Sequence, residues 1–359
     1  MLKLRRGVVT STDPLTVRVG QEDRRAWADP GLVGEVAKGD DVVVNTEAAD
    51  LGLGSGGFDV VHVNLTRGLA GHGRPRGQDV MKLNYTSLQH SIDPLELPPG
   101  AGATSRAGDE SAAAPVLVLP LHGHLAPSVW AAAVAQPGIR VGYVQTAGGS
   151  LPGALSRDVA ELRGRGLLAG HVTAGSSYGG EHEAVTTVGA LDAAARRLAW
   201  DAIVCGPGPG ILGSMTAYGH GGIAALENAH AALALGRTTL ISPRLSSSDP
   251  RERHRGLSHH TEIVLELLLA AVRVPVPEIE LAGWPTGDEG GGVDMPSVLD
   301  ALHRVCDDRH DVEVEPVDLA AYQMSGLPTR TMGRTLAEDP LFFAAALAAG
   351  RALAGAVRA

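Results

Sequence analysis

The 359-residue chain has 44% hydrophobic and 19% charged residues, which is typical of a folded protein with room for two domains and not of a disordered chain. A formal net charge of −10 argues against a general nucleic-acid-binding protein, because contacts to phosphates need a basic surface. No apolar run reaches the roughly 18 residues of a membrane span, and two cysteines are too few for a disulfide framework. We therefore expect a cytoplasmic protein without nucleic-acid or membrane partners. Homo-oligomerisation is possible and is not decided by the sequence.

Residues 1–97 predict a small β-barrel-like domain. Short β-branched runs such as LTVRV and DVVVN are separated by turn signals every ten residues or so, which is typical of a barrel or sandwich. Residues 98–114 are small and polar without a pattern, so we expect a linker or mobile loop there.

Residues 115–359 predict an α/β domain. Apolar strands alternate with Ala- and Leu-rich helices, which is typical of a doubly wound, mostly parallel, Rossmann-like sheet, and 311–317 adds an edge strand. A closed eight-unit barrel would need about 250 residues and more units than this segment offers. The predicted strands are 115–121, 140–146, 167–173, 201–207 and 237–243, and the predicted helices are 153–165, 184–200, 220–235, 259–272 and 335–356.

Chemically versatile residues follow each predicted strand of the second half. In an open parallel sheet the carboxyl ends of the strands share one edge, where ligands bind. We therefore expect one crevice to gather seven of the fourteen histidines together with two glutamates: His122, His124, His182, His220, His254, His259, His260, Glu181 and Glu183.

Glycine-rich turns at these strand ends predict an anion site or tight packing turns. A strand, a glycine turn and a helix N-terminus together direct backbone N–H groups at one point, which suits phosphate or carboxylate. The segment GPGILG at 208–213 also satisfies the dinucleotide pattern, but no acidic residue ends the next strand, so a dinucleotide is disfavoured. The predicted ligand-binding residues of these turns are Gly148, Gly149, Ser150, Ser176, Gly208, Gly210 and Gly213.

The segment His122-Gly123-His124 is a candidate for metal binding. On an extended segment, residues two apart point the same way, so both imidazoles could reach one ion. The alternative is a hydrogen-bonded structural histidine at a strand end. A metal-dependent, amidohydrolase-like enzyme that uses His122 and His124 is the corresponding functional alternative.

Glu181, His182 and Glu183 precede a predicted helix. Carboxylates are stabilised near a helix N-terminus, which explains the pattern without catalysis. The alternative is an acid/base role, because His182 beside two carboxylates could hold a proton near neutral pH.

The charged segment at 249–256 supplies Arg251, Arg253 and Arg255. It predicts either a solvated loop or an arginine cluster that binds phosphate or carboxylate. Ser258 then looks like the N-cap of a helix, with His259 and His260 about 100° apart in its first turn, so one of the two is expected to face the crevice.

Five segments together resemble a bacterial family of unknown function found in actinobacteria and firmicutes. They are TAGGSLPGALS (146–156), GGEHEAVTT (179–187), GPGILGSMTAYG (208–219), DPRERHRGLSHHT (249–261) and LGLGSGGFDVV (51–61). The resemblance spans nearly the whole chain and implies no activity, cofactor or substrate.

The strand-end residues predict an enzyme, a hydrolase or transferase, that acts on a small anionic metabolite. In this hypothesis the 148–149 and 208–210 turns and Arg251, Arg253 or Arg255 hold the anion. Proton transfer is assigned to His122, His182 and His259 or His260, with Glu181 or Glu183 orienting a histidine. A divalent metal is a possible cofactor, which the sequence neither requires nor excludes. The alternative from another class is a metabolite-sensing or protein-interaction module without turnover.

Overall fold

The computed structural model describes residues 2–53, 56–69, 80–96, 114–214, 216–279 and 293–358. The chain divides into two compact units, Met1–Ser91 and Ile92–Ala359. The linker predicted at 98–114 lies outside the described residues except for Ala114.

The first unit contains the closed five-stranded barrel that the sequence predicts. Neighbouring strands follow the order β1-β2-β3-β5-β4, and β1 pairs with β4 to close the sheet, which leaves no open edge. Alternate residues point inward, so Val42, Val44 and Val61 share a small core with Val9 and Val17. Its elements are β1 (Leu4–Thr12), β2 (Leu15–Val19), β3 (Glu22–Trp27), α1 (Pro30–Val33), β4 (Asp41–Asn45), α2 (Glu47–Asp50) and β5 (Asp59–Asn64), followed by a small sheet of β6 (Val80–Lys82) and β7 (His90–Ile92).

The second unit is built on an open, parallel sheet, as the sequence predicts. Its strands are β8 (Val116–Val118), β9 (Val141–Thr146), β10 (Gly170–Ala174), β11 (His182–Ala184), β12 (Ala202–Pro207), β13 (Thr239–Ile241), β16 (Arg273–Glu278) and β17 (Asp311–Pro316). They follow the order β11-β10-β9-β12-β8-β13-β16-β17. Two hairpins accompany the sheet, β14 (Leu245–Ser246) with β15 (Gly256–Leu257) and β18 (Arg330–Thr331) with β19 (Arg334–Thr335).

Helices cover both faces of this sheet, because its strands are apolar on both sides. Val116 and Val118 belong to the core on one face, and Leu117 and Leu119 belong to the core on the other. The helices are α3 (Leu125–Ala135), α4 (Arg157–Gly164), α5 (Thr187–Arg197), α6 (Ala224–Ala234), α7 (His259–Leu267), α8 (Met295–Cys306), α9 (Leu319–Met324) and α10 (Pro340–Arg358).

Two strands of the sheet were not expected. The sequence predicts that the acidic segment around His182 directly precedes a helix, but His182–Ala184 forms the edge strand β11. Strand β16 carries Pro275 and Pro277, which argue against a sheet interior. Both prolines lie beyond the pairing with β13, which is limited to Arg273, but within the pairing with β17.

Helix α10 is the longest apolar helix of the described residues. Contrary to the sequence-based expectation that no apolar segment is long enough for a membrane span, its window Pro340–Val357 reaches that length with a mean hydropathy of 1.6, and 78% of that window is buried inside the protein. The helix packs against α3, where the Ser128 hydroxyl donates to the Ala346 carbonyl at 2.8 Å. Gly350 allows this approach, because a Cβ there would lie 1.9 Å from the Ser128 carbonyl oxygen.

Gly350→Ala is expected to lower the free energy of unfolding by about 1–3 kcal/mol, because the helix must move away from α3 to admit a methyl group. Gly355→Ala is the matched control in the same helix, since a Cβ there meets no atom within 4 Å. It should leave stability unchanged or raise it by up to about 1 kcal/mol through helix propensity. Urea unfolding of both variants measures the difference, and equal stabilities would contradict the packing.

Candidate functional site

A cavity of about 770 Å³ opens at the carboxyl edge of the parallel sheet. Its wall comes from the segments after β8, β9, β12 and β13, and from the hairpin β18–β19. Its polar lining residues are His122, Asp158, Thr216, His220, Arg244, Asp249, Arg251, Arg253, His254, His259, His260, Arg330, Thr331 and Arg334.

The strand order explains this position. Strands β8 and β13 are neighbours, but the chain leaves β8 towards β9 on one side and leaves β13 towards β16 on the other. Connections that diverge in this way open a crevice at the strand ends, where open α/β sheets bind ligands. The cavity therefore lies where the topology alone would place a ligand site.

Asp249 organises the arginines of the cavity. Its buried carboxylate lies 3.3 Å from Arg244 Nη2, 2.9 Å from Arg251 Nη2 and 3.3 Å from Arg334 Nη2. Burial alone would raise the pKa of Asp249, but hydrogen bonds from Arg251 and the charges of Arg251 and Arg334 hold this pKa well below its usual range. The carboxylate is therefore ionised and neutralises part of the arginine charge.

Two further arginines of the cavity have no such partner. Within the described part of the chain, Arg253 and Arg330 form no ion pair; Arg253 contacts the His254 ring at 3.5 Å, and Arg330 donates to the Gly333 carbonyl at 3.4 Å. The lining thus has five arginines and two aspartates. This excess of positive charge favours an anionic ligand.

Histidines form a second group in the cavity. The rings of His220 and His260 stack with centroids 3.6 Å apart, and the His259 ring lies 4.4 Å from that of His260. The ring of His254 lies 4.7 Å from that of His260.

All four of these rings are expected to be neutral at pH 7. Burial is the largest cause, and nearby arginines add to it: the pKa of His254 is lowered to about 3 and that of His260 to about 2. The pKa values of His220 and His259 are lowered for the same first reason. At His220 the nearby Ala217 backbone raises the pKa and partly offsets the effect of burial. The geometry between the two does not meet that of a hydrogen bond.

His259 and His260 both line the cavity, although only one was expected to. Ser258 caps α7 as predicted, and its side chain accepts from the His260 backbone N–H. The two histidines are therefore the first residues of the helix, and helical side chains lean towards the N-terminus. Both rings project beyond the helix end. The angle of 100° between successive residues around the helix axis therefore does not prevent both from facing the cavity.

His122 lies beside Asp158 in the same cavity. His122 Nδ1 donates to the Pro207 carbonyl at 3.2 Å, and Nε2 accepts from the Ser156 hydroxyl at 2.7 Å, because a carbonyl can only accept. The carboxylate of Asp158 lies 4.0 Å from Nε2, and no hydrogen bond reaches it from the described residues. Burial raises the pKa of Asp158 and lowers that of His122.

The His122-Gly123-His124 segment does not present two rings to one ion. It forms a 3-10 helix instead of an extended strand, and residues two apart on such a helix point about 120° apart. The ring of His124 is buried against Phe342, and its Nδ1 lies 2.8 Å from the Ser242 hydroxyl. Of this pair, only His122 lines the cavity.

Some of the predicted glycine residues pack two loops together, and others line the cavity. Gly148 and Gly149 do not line it: a Cβ on Gly149 would lie 2.0 Å from the Gly208 carbonyl oxygen, and one on Gly148 would lie 2.5 Å from that of Gly221. These contacts bring two loops together. Ser150 belongs to the same contact, with its backbone N–H donating to Pro209 at 2.8 Å.

Gly210 and Gly213 do line the cavity, whereas Gly208 is packed against Ser150. Strand β12 ends at Pro207 and α6 begins only at Ala224, so the glycines do not open a helix as the dinucleotide pattern requires.

The acidic segment lies away from the cavity. Glu181 pairs with Arg163, and Glu183 accepts from the Thr173 hydroxyl at 2.8 Å. His182 lies in β11, and Ser176 lies in the turn after β10; neither lines the cavity. Three strand spacings of about 4.8 Å separate β10 from β8, which explains why these residues are remote. Arg255 is also absent from the lining and lies 3.5 Å from the Asp249 carbonyl.

Sequence reasoning missed Asp158, Arg244, Arg330 and Arg334. Arg244 follows β13 directly and could have been chosen by the strand-end argument. The hairpin that carries Arg330 and Arg334 leaves one weak sequence signal, Gly333, which suits the two-residue turn in which Met332 and Gly333 both adopt positive φ (46° and 82°).

Acidification should destabilise the protein through His124, whose pKa burial lowers to about 3. The unfolded chain, with a histidine pKa of about 6.5, binds the extra proton first, so stability is complete above pH 6.5 and falls as the pH drops. His124→Gln should remove this contribution, which is about 1.4 kcal/mol per pH unit below pH 6. Urea unfolding at pH 7.5, 6.0 and 5.0 tests it, and equal pH slopes for both proteins would contradict it.

The comparisons with known proteins give a family and no activity. A family model described as "Protein of unknown function (DUF3866)" matches residues 25–350. No curated protein matches the chain, and no solved structure matches it.

Proposed function

Because the chain belongs to the DUF3866 family, whose description assigns no activity, we propose its function from the cavity: it is an enzyme, a hydrolase or transferase, that acts on a small anionic metabolite at the carboxyl edge of the parallel sheet. The observation that carries the proposal is the arginine excess in this cavity: among the described residues Arg253 and Arg330 form no close ion pair, and the charge of Arg330 acts only at longer range on Glu338. Guanidinium groups bind phosphate and carboxylate through paired hydrogen bonds.

Asp158 is the proposed general acid/base. It lines the cavity, its side chain is only 24% exposed, and burial raises its pKa towards the range in which a carboxyl group can both hold and release a proton. His122 Nε2 lies 4.0 Å from this carboxyl group, so the ring helps to position it. Ser156 does not line the cavity, so its hydroxyl orients His122 and is not assigned as a nucleophile.

The first experiment is a thermal-shift panel on the full chain with inorganic phosphate, pyrophosphate, sulfate and small di- and tricarboxylates. A ligand at one hundred times its Kd adds about 2.7 kcal/mol to the stability of the folded state, which raises Tm by several degrees. A panel without any shift would overturn the anion site. Saturable binding of a metabolite that is never chemically changed would favour a sensor over an enzyme.

Arg253→Ala is expected to weaken binding of the best anion at least tenfold, because it removes a cavity charge that no described carboxylate neutralises. Arg255→Ala is the matched control from the same loop, since Arg255 does not line the cavity. Titration calorimetry measures both. If the two variants lost the same affinity, the effect would come from overall charge and not from this cavity.

Asp158→Asn should keep anion binding and lower turnover of the substrate that a screen of phosphate and carboxylate esters identifies. Loss of a general acid/base typically costs 10²–10⁴-fold in rate. The measurement is kcat beside the anion Kd. Unchanged kcat in a folded variant would remove Asp158 from the mechanism.

A further inference from the structure

Three histidines of the cavity have ring nitrogens that the anion site does not use. Both ring nitrogens of His220 and Nε2 of His259 are buried, and no hydrogen-bond partner reaches them within the described residues. Buried polar atoms are normally satisfied, so such nitrogens need an explanation. His220 itself is 7% exposed and lines the cavity.

His260 completes the group. One potential ligand nitrogen from each of His220, His259 and His260 lies within 4.8 Å of the other two. Tetrahedral coordination with metal–nitrogen distances of 2.0–2.1 Å requires about 3.4 Å between ligand nitrogens, so these nitrogens must approach one another by at most about 1.4 Å. The parallel rings of His220 and His260, 3.6 Å apart, must open in the process, because ligand lone pairs lie in the ring planes.

We propose that His220, His259 and His260 bind a divalent transition-metal ion of the zinc class. Three neutral imidazoles suit Zn²⁺ and its neighbours in the first transition series, whereas Mg²⁺ and Ca²⁺ require oxygen ligands. Three protein ligands leave a coordination position open to the cavity, which is the arrangement of catalytic metal sites.

His254 is not part of this group although its ring is close. Its Nδ1 lies 2.7 Å from the Ser258 hydroxyl, and its Nε2 lies 3.5 Å from Arg253 Nε, so both nitrogens are occupied. At His260 the ion competes with a long hydrogen bond, because Nδ1 accepts from Arg244 Nη1 at 3.4 Å. His254 therefore provides a matched control from the same cavity.

The full chain, stripped with a chelator, is titrated with ZnCl₂ and separately with CoCl₂ by calorimetry and absorbance. We expect one ion per chain and, with Co²⁺, the visible absorption of a tetrahedral site. His220→Ala and His259→Ala should each weaken binding at least tenfold, and His254→Ala should change it less than threefold. His259→Gln keeps the site polar if the alanine variant does not fold.

Failure to bind either ion stoichiometrically would overturn the proposal. It would also be overturned if folded His220 and His259 variants bound as wild type does, or if His254→Ala lost as much affinity as they do. These titrations need no anionic ligand. A negative anion panel with intact metal binding would therefore count against the proposed function alone, and the reverse result would count against the metal site alone.

Discussion

The buried carboxylate of Asp249 is the interaction on which the wall of the cavity depends. Three guanidinium groups converge on it, from Arg244 after β13, Arg251 in the following loop and Arg334 in a hairpin far along the chain. A buried carboxylate is tolerated only with charged or hydrogen-bonding partners, and the arginines need it equally to offset their mutual repulsion. One acidic group thus fixes the position of three separate segments.

Asp339 extends this arrangement to the helix that runs through the core. It is fully buried, accepts from the Ser246 hydroxyl at 2.7 Å and the Ser247 backbone at 2.8 Å, and pairs with Arg334 at 3.0 Å. It directly precedes α10, so the arginine wall is anchored to the most buried helix. The result is a positive surface in direct contact with neutral imidazoles, since Arg244 reaches His260 at 3.4 Å and Arg253 reaches His254 at 3.5 Å within the same cavity.

Much of the fold could be predicted from the sequence, because buried parallel strands and their intervening helices leave clear apolar runs. His122, His220, His254, His259 and His260 follow separate strands and meet in one cavity, as their positions at strand ends predict. Glu181, His182 and Glu183 lie elsewhere, because the order of strands across the sheet is a tertiary property that no local pattern contains. Arg330 and Arg334 were missed for a related reason, since their hairpin reaches the cavity only through Asp249 and Asp339.

The origin of the cavity wall has a consequence for how the protein acquires its site. The lining runs from Leu121 to Arg334, and no single helix, loop or hairpin contains more than a part of it. Contacts between such distant segments form late in folding, because the entropy of closing long loops must be overcome first. A partly folded chain therefore has no functional surface to offer, and any molecule held in the cavity opposes unfolding of the whole α/β unit.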